Sequence, residues 1–292
     1  MYKRQIIGWV VRFLIGSVTN TVLEQDSAQY FGEVTKWMGN VPFHVIVIAI
    51  TVLVLLLGAA TQIEKANKIL MPLFFVLFAV LAVRVAFLPG ASEGYKFLFV
   101  PKWEALANVD TWVMAMGQAF FSMSITGSGM IVYGSYLSKK EDIPKASMQT
   151  AVFDTIAAML SALAIMPAVF AFKIEPTAGP SLMFITIPNI FKQMPFGRIF
   201  AVIFFLSVCF AGITSLINMF EAVIESWQHK FKLKRNHAVL LCGGITLLVG
   251  LFLEEEARVG SWMDFITIIV VPFGAVLGAI SIYYILGFDK IK

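Results

Sequence analysis

Charge is scarce in this chain. Only 14% of its 292 residues are Asp, Glu, Lys or Arg, whereas 59% are hydrophobic and the mean hydropathy is +0.84. A soluble domain of this length could not cover so apolar an interior, so the composition points to an integral membrane protein. The net charge of +4 is thinly spread. Basic residues sit in short connections between apolar runs, where they set orientation in the bilayer, and they form no patch suited to nucleic acid. Cysteine and histidine are nearly absent. Cys209 and Cys242 both fall inside apolar runs, and His44, His229 and His237 lack zinc-ligand spacing. A membrane-embedded enzyme would need a metal set or a nucleophile–base pair, and these residues supply neither. No signal peptide is visible, and the opening MYKRQ runs straight into an apolar run without a polar lead-in.

Apolar runs are abundant instead. About 20 predominantly apolar residues cross a bilayer, and eight segments qualify, some with their flanks: 5–20, 43–60, 67–88, 109–136, 145–172, 197–228, 238–253 and 262–286. Those starting at 109, 145 and 197 exceed the minimum and are expected to tilt, kink or protrude. Glycine, proline and charge punctuate the connections, as in LPGASEG at 88–94, SKKEDIPK at 138–145 and KIEPTAGP at 173–180. Alternate connections give thirteen Lys and Arg on the side of Lys3, Arg4, Lys65, Lys139 and Lys230, against seven on the side of Lys36, Lys96, Lys173 and Arg258. The richer side is cytoplasmic, and an even number of spans predicts both termini there.

Within the spans, Gln118–Tyr136 reads QAFFSMSITGSGMIVYGSY. Backbone at bilayer depth must satisfy its own hydrogen bonds, so an unwound helix survives there only where it lines a protein-enclosed cavity. Gly127 and Gly129, with hydroxyls at Ser122, Ser124, Thr126 and Ser128, are what a broken helix forming a solute site requires. Asp154, flanked by apolar residues in TAVFDTIAAM, needs a cation, a proton or a basic partner, or else a structural hydrogen bond to a neighbouring helix. Glu221 and Glu225, one turn apart near a span end, read as solvated or capping charges, and Arg12 and Arg84 as snorkelling ones. Ala211-Gly212-Ile213-Thr214-Ser215 has two readings. Its small residues allow close helix packing, and its hydroxyls beside a free carbonyl suit a hard monovalent cation.

FFSMSITGSGMIVYGSYLSKKEDIP, FITIPNIF, CFAGITS, KLKRNHAVL and WMDF, in this order, resemble the neurotransmitter:sodium symporter family, especially its bacterial amino-acid transporters. The resemblance runs from about residue 6 to the end. It implies an all-α integral membrane bundle of the leucine-transporter inverted-repeat type, truncated at both ends. Residues 1–292 then form a single transmembrane domain whose eight spans resemble helices three to ten of twelve. Segment 5–88 matches the last three helices of the first repeat, and 109–286 the complete second five-helix repeat. The chain is therefore expected to be a fragment, and the family's substrate-contacting third-helix tyrosine falls near Lys3.

The resemblance also implies ligands. Ser122 and Asp154 match the first sodium site, where Asp154 replaces the usual asparagine and adds a negative charge. Ala158 stands where family members carry glutamate or serine, so Asp154 is expected to supply the charge that chloride or glutamate gives elsewhere; chloride dependence stays open. The second sodium site carries over as the Ala211 carbonyl with the Thr214 and Ser215 hydroxyls. Substrate contacts map to Phe121, Ser124, Gly127, Ser215 and Met219. Gly127 replaces a bulky phenylalanine of a leucine-selective member, which favours a larger or aromatic amino acid. Phe121 matches the aromatic lid and Asp264 the extracellular gate, while His229 replaces the cytoplasmic gate aspartate. The expected function is sodium-coupled symport of an amino acid or small amine across the plasma membrane. A proton-coupled permease of the same fold and an inactive fragment are the alternatives, and a homodimer is allowed.

Overall fold

The computed structural model describes residues 3–58, 60–123, 134, 137–138, 140–176, 180 and 182–287, and among these residues there are helices and no strands. Four helical stretches are long and apolar enough to cross a bilayer: Lys68–Ala86, Ile143–Ala171, Gly197–Phe231 and Glu256–Ile285. They lie within α5 (Ala60–Ala86), α8 (Ile143–Ala171), α10 (Gly197–Phe231) and the helical run that passes through α12 (Glu256–Asp264) and α13 (Val271–Ile280) to Ile285. The other apolar segments carry shorter helices: α1 (Lys3–Val18), α4 (Val41–Leu57), α7 (Val109–Ser122) and α11 (Arg235–Leu251). Beyond Met123 most of the 109–136 segment, with Ser124, Thr126, Gly127, Ser128 and Gly129, lies outside the described residues.

The starting point of α1 corrects one expectation. Its first turn lies deep in the bundle: Lys3 reaches Ser215, near the middle of α10, and Arg4 is fully buried. Lys3 and Arg4 are therefore not loop cations, and the orientation tally loses both without changing which side is richer.

α10 is the hub. It packs along α1, α5 and α11, while α8 packs on α5 and on α6 (Ala91–Phe99). The core is aromatic. Trp9 and Phe13 of α1, Phe31 of α3 (Ser27–Thr35), Phe184 and Phe205 are all buried. Trp9 stands edge-on to Phe31 and Phe184 at 5.7 and 5.8 Å, a favoured ring geometry.

The connections are more ordered than their composition suggests. Asp26 caps α3 by accepting from the N–H groups of Ala28 and Gln29 at 3.0 and 2.9 Å. Lys192, ending α9 (Ile187–Lys192), donates to the Gln25 carbonyl at 2.6 Å and the Ser27 hydroxyl at 2.8 Å, stitching α9 to α3. Burial pulls its ammonium below the ordinary lysine value, with Asp26 partly opposing. Arg12 and Arg84 reach the Gly39 and Gln193 carbonyls at 2.6 and 3.3 Å, tying their helices to the connections. Glu221 is held by Arg235 across the α10–α11 turn, through two contacts of 2.7 and 3.1 Å.

Candidate functional site

α7 ends at Ser122, and its last turn faces both α8 and the first turn of α1. The Ser122 hydroxyl lies 2.6 Å from Asp154 Oδ1 and 2.8 Å from Oδ2, so one O–H straddles the carboxylate. A hydroxyl that donates this way keeps its lone pairs for another partner. Asp154 is half-buried, with Phe153, Thr150, Gln149 and Ala146, along an open groove of about 570 Å³. A carboxylate and an accepting hydroxyl at the end of a helix form an oxygen-rich, singly negative site, suited to a small hard cation.

On the other face of the same turn, the Phe121 ring lies under the Lys3 ammonium at 5.0 Å. Lys3 also donates to Ser215 Oγ at 3.0 Å. Ser215 therefore directs a lone pair into the space between α1, α7 and α10, and already serves a cation there. Thr214, one residue earlier, donates to the Phe210 carbonyl at 2.8 Å, the usual back-bond of a helical threonine. Ala211, Thr214 and Ser215 occupy about one turn of α10, and Met219, exposed, follows one turn later. Asp264, at the end of α12, is exposed.

The structure thus brings together Ser122 with Asp154, and Phe121 with Ser215 through Lys3. No described contact joins Met219 or Asp264 to these, and Ser124 and Gly127 lie outside the described residues. Lys3 is the residue that the sequence reading did not count as part of the site. Its signal was position alone, since the tyrosine it displaces was known only by resemblance.

A family model of the sodium:neurotransmitter symporters matches residues 19–292. The chain belongs to the sodium:neurotransmitter symporter family. An uncharacterized sodium-dependent transporter of Bacillus subtilis (strain 168), YhdH, is 33% identical over 248 residues, covering 84% of this chain and 55% of that protein. A second, from Methanocaldococcus jannaschii, is 29% identical over 318 residues, covering all of this chain and 64% of its own length. The chain thus spans a little over half to about two thirds of the length of these two relatives. The crystal structure of MhsT in complex with L-phenylalanine superimposes with a TM-score of 0.89 at 30% identity, covering 97% of this chain and 68% of the other. The helical arrangement described above is therefore that of a symporter of this family, as the resemblance implied.

Proposed function

We propose that the protein carrying this chain couples sodium to the uptake of an amino acid or related small amine across the plasma membrane. The Ser122–Asp154 pair carries this reading. It sets a negative charge and a hydroxyl with free lone pairs at the end of a membrane helix, where a cation offsets the carboxylate's desolvation. Ser122 and Asp154 are assigned to the first sodium site, and the Ala211 carbonyl with the Thr214 and Ser215 hydroxyls to the second. Phe121, Ser124, Gly127, Ser215 and Met219 line the substrate, and Phe121 and Asp264 form the outer gate. In this assignment 5–88 and 109–286 belong to the two repeats, the side of Lys139 and Lys140 is cytoplasmic, and sodium binding biases the gates by contacts made in one state only. The relatives named sodium-dependent transporters support the ion, and the phenylalanine complex of MhsT supports an amino-acid substrate with a large side chain.

The test is uptake of labelled phenylalanine, tryptophan and leucine by the gene product in proteoliposomes. An inward sodium gradient should raise the initial rate at least tenfold over a choline gradient. Uptake driven by a pH gradient and indifferent to sodium would replace this reading with the proton-coupled one, and no uptake under any gradient would leave an inactive chain.

Lys3 adds a second expectation. Its ammonium sits 3.0 Å from Ser215 Oγ, and two unit charges 4 Å apart at an effective dielectric of 20 repel by about 4 kcal/mol. Even a small part of that repulsion opposes sodium at Ser215. Lys3→Met should lower the sodium concentration for half-maximal substrate binding several-fold, read by scintillation proximity; an unchanged value would remove Ser215 from the sodium ligands.

A further inference from the structure

Arg4, one residue beyond Lys3, enters a second polar cluster, enclosed where the first turns of α1 and α4 meet the turn between α11 and α12. The Arg4 and Glu254 side chains have no exposed surface, and His44 is 1% exposed. The contacts run as a chain. The Asn40 amide nitrogen stands 3.0 Å from His44 Nε2, His44 Nδ1 2.7 Å from Glu254 Oε1, and Arg4 Nη2 3.6 Å from the same oxygen. A neutral His44 serves both ends, accepting from Asn40 and donating to Glu254. Alongside, Gln5 Nε2 donates to the Gly250 carbonyl at 2.9 Å. Two glycines make the room: a β-carbon at Gly250 would overlap the Arg4 guanidinium, and one at Gly8 would overlap the His44 ring.

This cluster is a poor source of stability. At 3.6 Å the Arg4–Glu254 pair is a charge contact without a hydrogen bond. Nε, Nη1 and Nη2 of Arg4 and Oε2 of Glu254 have no hydrogen-bond partner among the described residues. Buried pairs short of partners repay their desolvation badly, and apolar residues of similar volume often replace them without loss. What such a pair does fix is register. Neighbouring residues of a helix point about 100° apart. With Arg4 on Glu254 and Gln5 on Gly250, the first turn of α1 can neither rotate nor slide. Lys3 is thereby aimed at α10 and α7, where its ammonium meets Ser215 Oγ at 3.0 Å and the Phe121 ring at 5.0 Å.

We propose that Arg4 and Glu254 are positioning residues that hold the Lys3 ammonium on Ser215. The pair then sets sodium affinity at Ser215, because the ammonium it holds there competes with the ion; this consequence rests on the assignment of Ser215 to sodium, whereas the positioning itself does not.

The test uses Arg4→Met/Glu254→Met, which removes both charges together and leaves neither buried alone. Purified wild type and variant are treated with acetic anhydride, and acetylation of Lys3 is followed by mass spectrometry against Lys96, whose side chain is 65% exposed. The variant should keep its thermal unfolding midpoint within a few degrees of the wild type, while Lys3 reacts several-fold faster. A merely structural role would move the midpoint and not the Lys3 rate at an unchanged midpoint. A Lys3 rate equal to the wild type would overturn the proposal, since Ser215 and Phe121 would then suffice to hold the ammonium. Should the double variant fail to fold, Glu254→Gln decides by the same measurement, because it keeps an acceptor for His44 and removes only the charge that Arg4 faces. In substrate binding, the half-maximal sodium concentration of the double variant should fall as far as in Lys3→Met, and no further when the three substitutions are combined. Faster acetylation with unchanged sodium dependence upholds the positioning and removes only Ser215 from the sodium ligands.

Discussion

Asp154→Asn in the intact protein should abolish sodium-driven uptake in chloride-free buffer, or restore it only when chloride is added. The substitution keeps an oxygen for the Ser122 hydroxyl, now 2.6 and 2.8 Å from the two carboxylate oxygens, so local geometry survives while one charge is lost. At about 4 Å and an effective dielectric of 20, that charge attracts a sodium ion by about 4 kcal/mol. Water in the half-open groove and the remaining oxygens return part of this. At 1.4 kcal/mol per decade, the sodium requirement should still rise by tenfold or more. Ala158, one turn further along α8, offers no replacement charge. Ser122→Ala separates the terms, since it removes the hydroxyl and leaves the carboxylate; its loss should be the smaller. Uptake by Asp154→Asn that equals the wild type without chloride would show that the carboxylate is not the compensating charge.

Each member of that pair was legible in the sequence because it broke a rule locally, while their pairing came from the family resemblance. A carboxylate in TAVFDTIAAM and a hydroxyl in an apolar run ending in glycines are anomalies that membrane insertion does not tolerate without a reason. The long helices were equally legible, since α5, α8 and α10 are continuous apolar runs. The Arg4–Glu254–His44 cluster was not. Its members lie in three segments, 210 residues apart at the His44–Glu254 contact, and nothing near Glu254 distinguishes it from a loop acid. Arg4 was misplaced for a related reason: counting cations at the ends of apolar runs assumes that they lie at the membrane surface, and Arg4 is buried in the turn of α1 that packs beside Ser215. Connection helices were overlooked although one had a visible signal. Asp26 before Ser27, followed by Tyr30, Phe31 and Val34 at helical spacing, is a cap and a buried face.

Replacing Trp9 by alanine should be the most damaging single change to stability, at about 3–5 kcal/mol. In a membrane-spanning bundle the unfolded helices already lie in an apolar solvent, so the loss is of packing rather than of transfer from water. Trp9 is 0% exposed and edge-on to Phe31 and Phe184, which are themselves stacked at 5.3 Å and 10°. Phe184 continues to Phe13 at 4.9 Å, and Phe13 to Phe205 of α10 at 5.3 Å. Alanine would leave a void between α1 and α3 that rings locked on two other elements cannot close. Trp9→Phe separates volume from chemistry. It keeps most of the ring and removes Nε1, which has no hydrogen-bond partner among the described residues, so the relief of an unpaired donor, worth about 1–3 kcal/mol, offsets much of the smaller cavity. Cys209 and Cys242 are both buried and unpaired, so their reaction with a maleimide dye on heating reports unfolding without using tryptophan. Trp9→Ala should expose them many degrees below the wild type and Trp9→Phe within a few degrees of it. Equal midpoints for alanine and phenylalanine would show that α1 is held by its polar first turn rather than by this aromatic core.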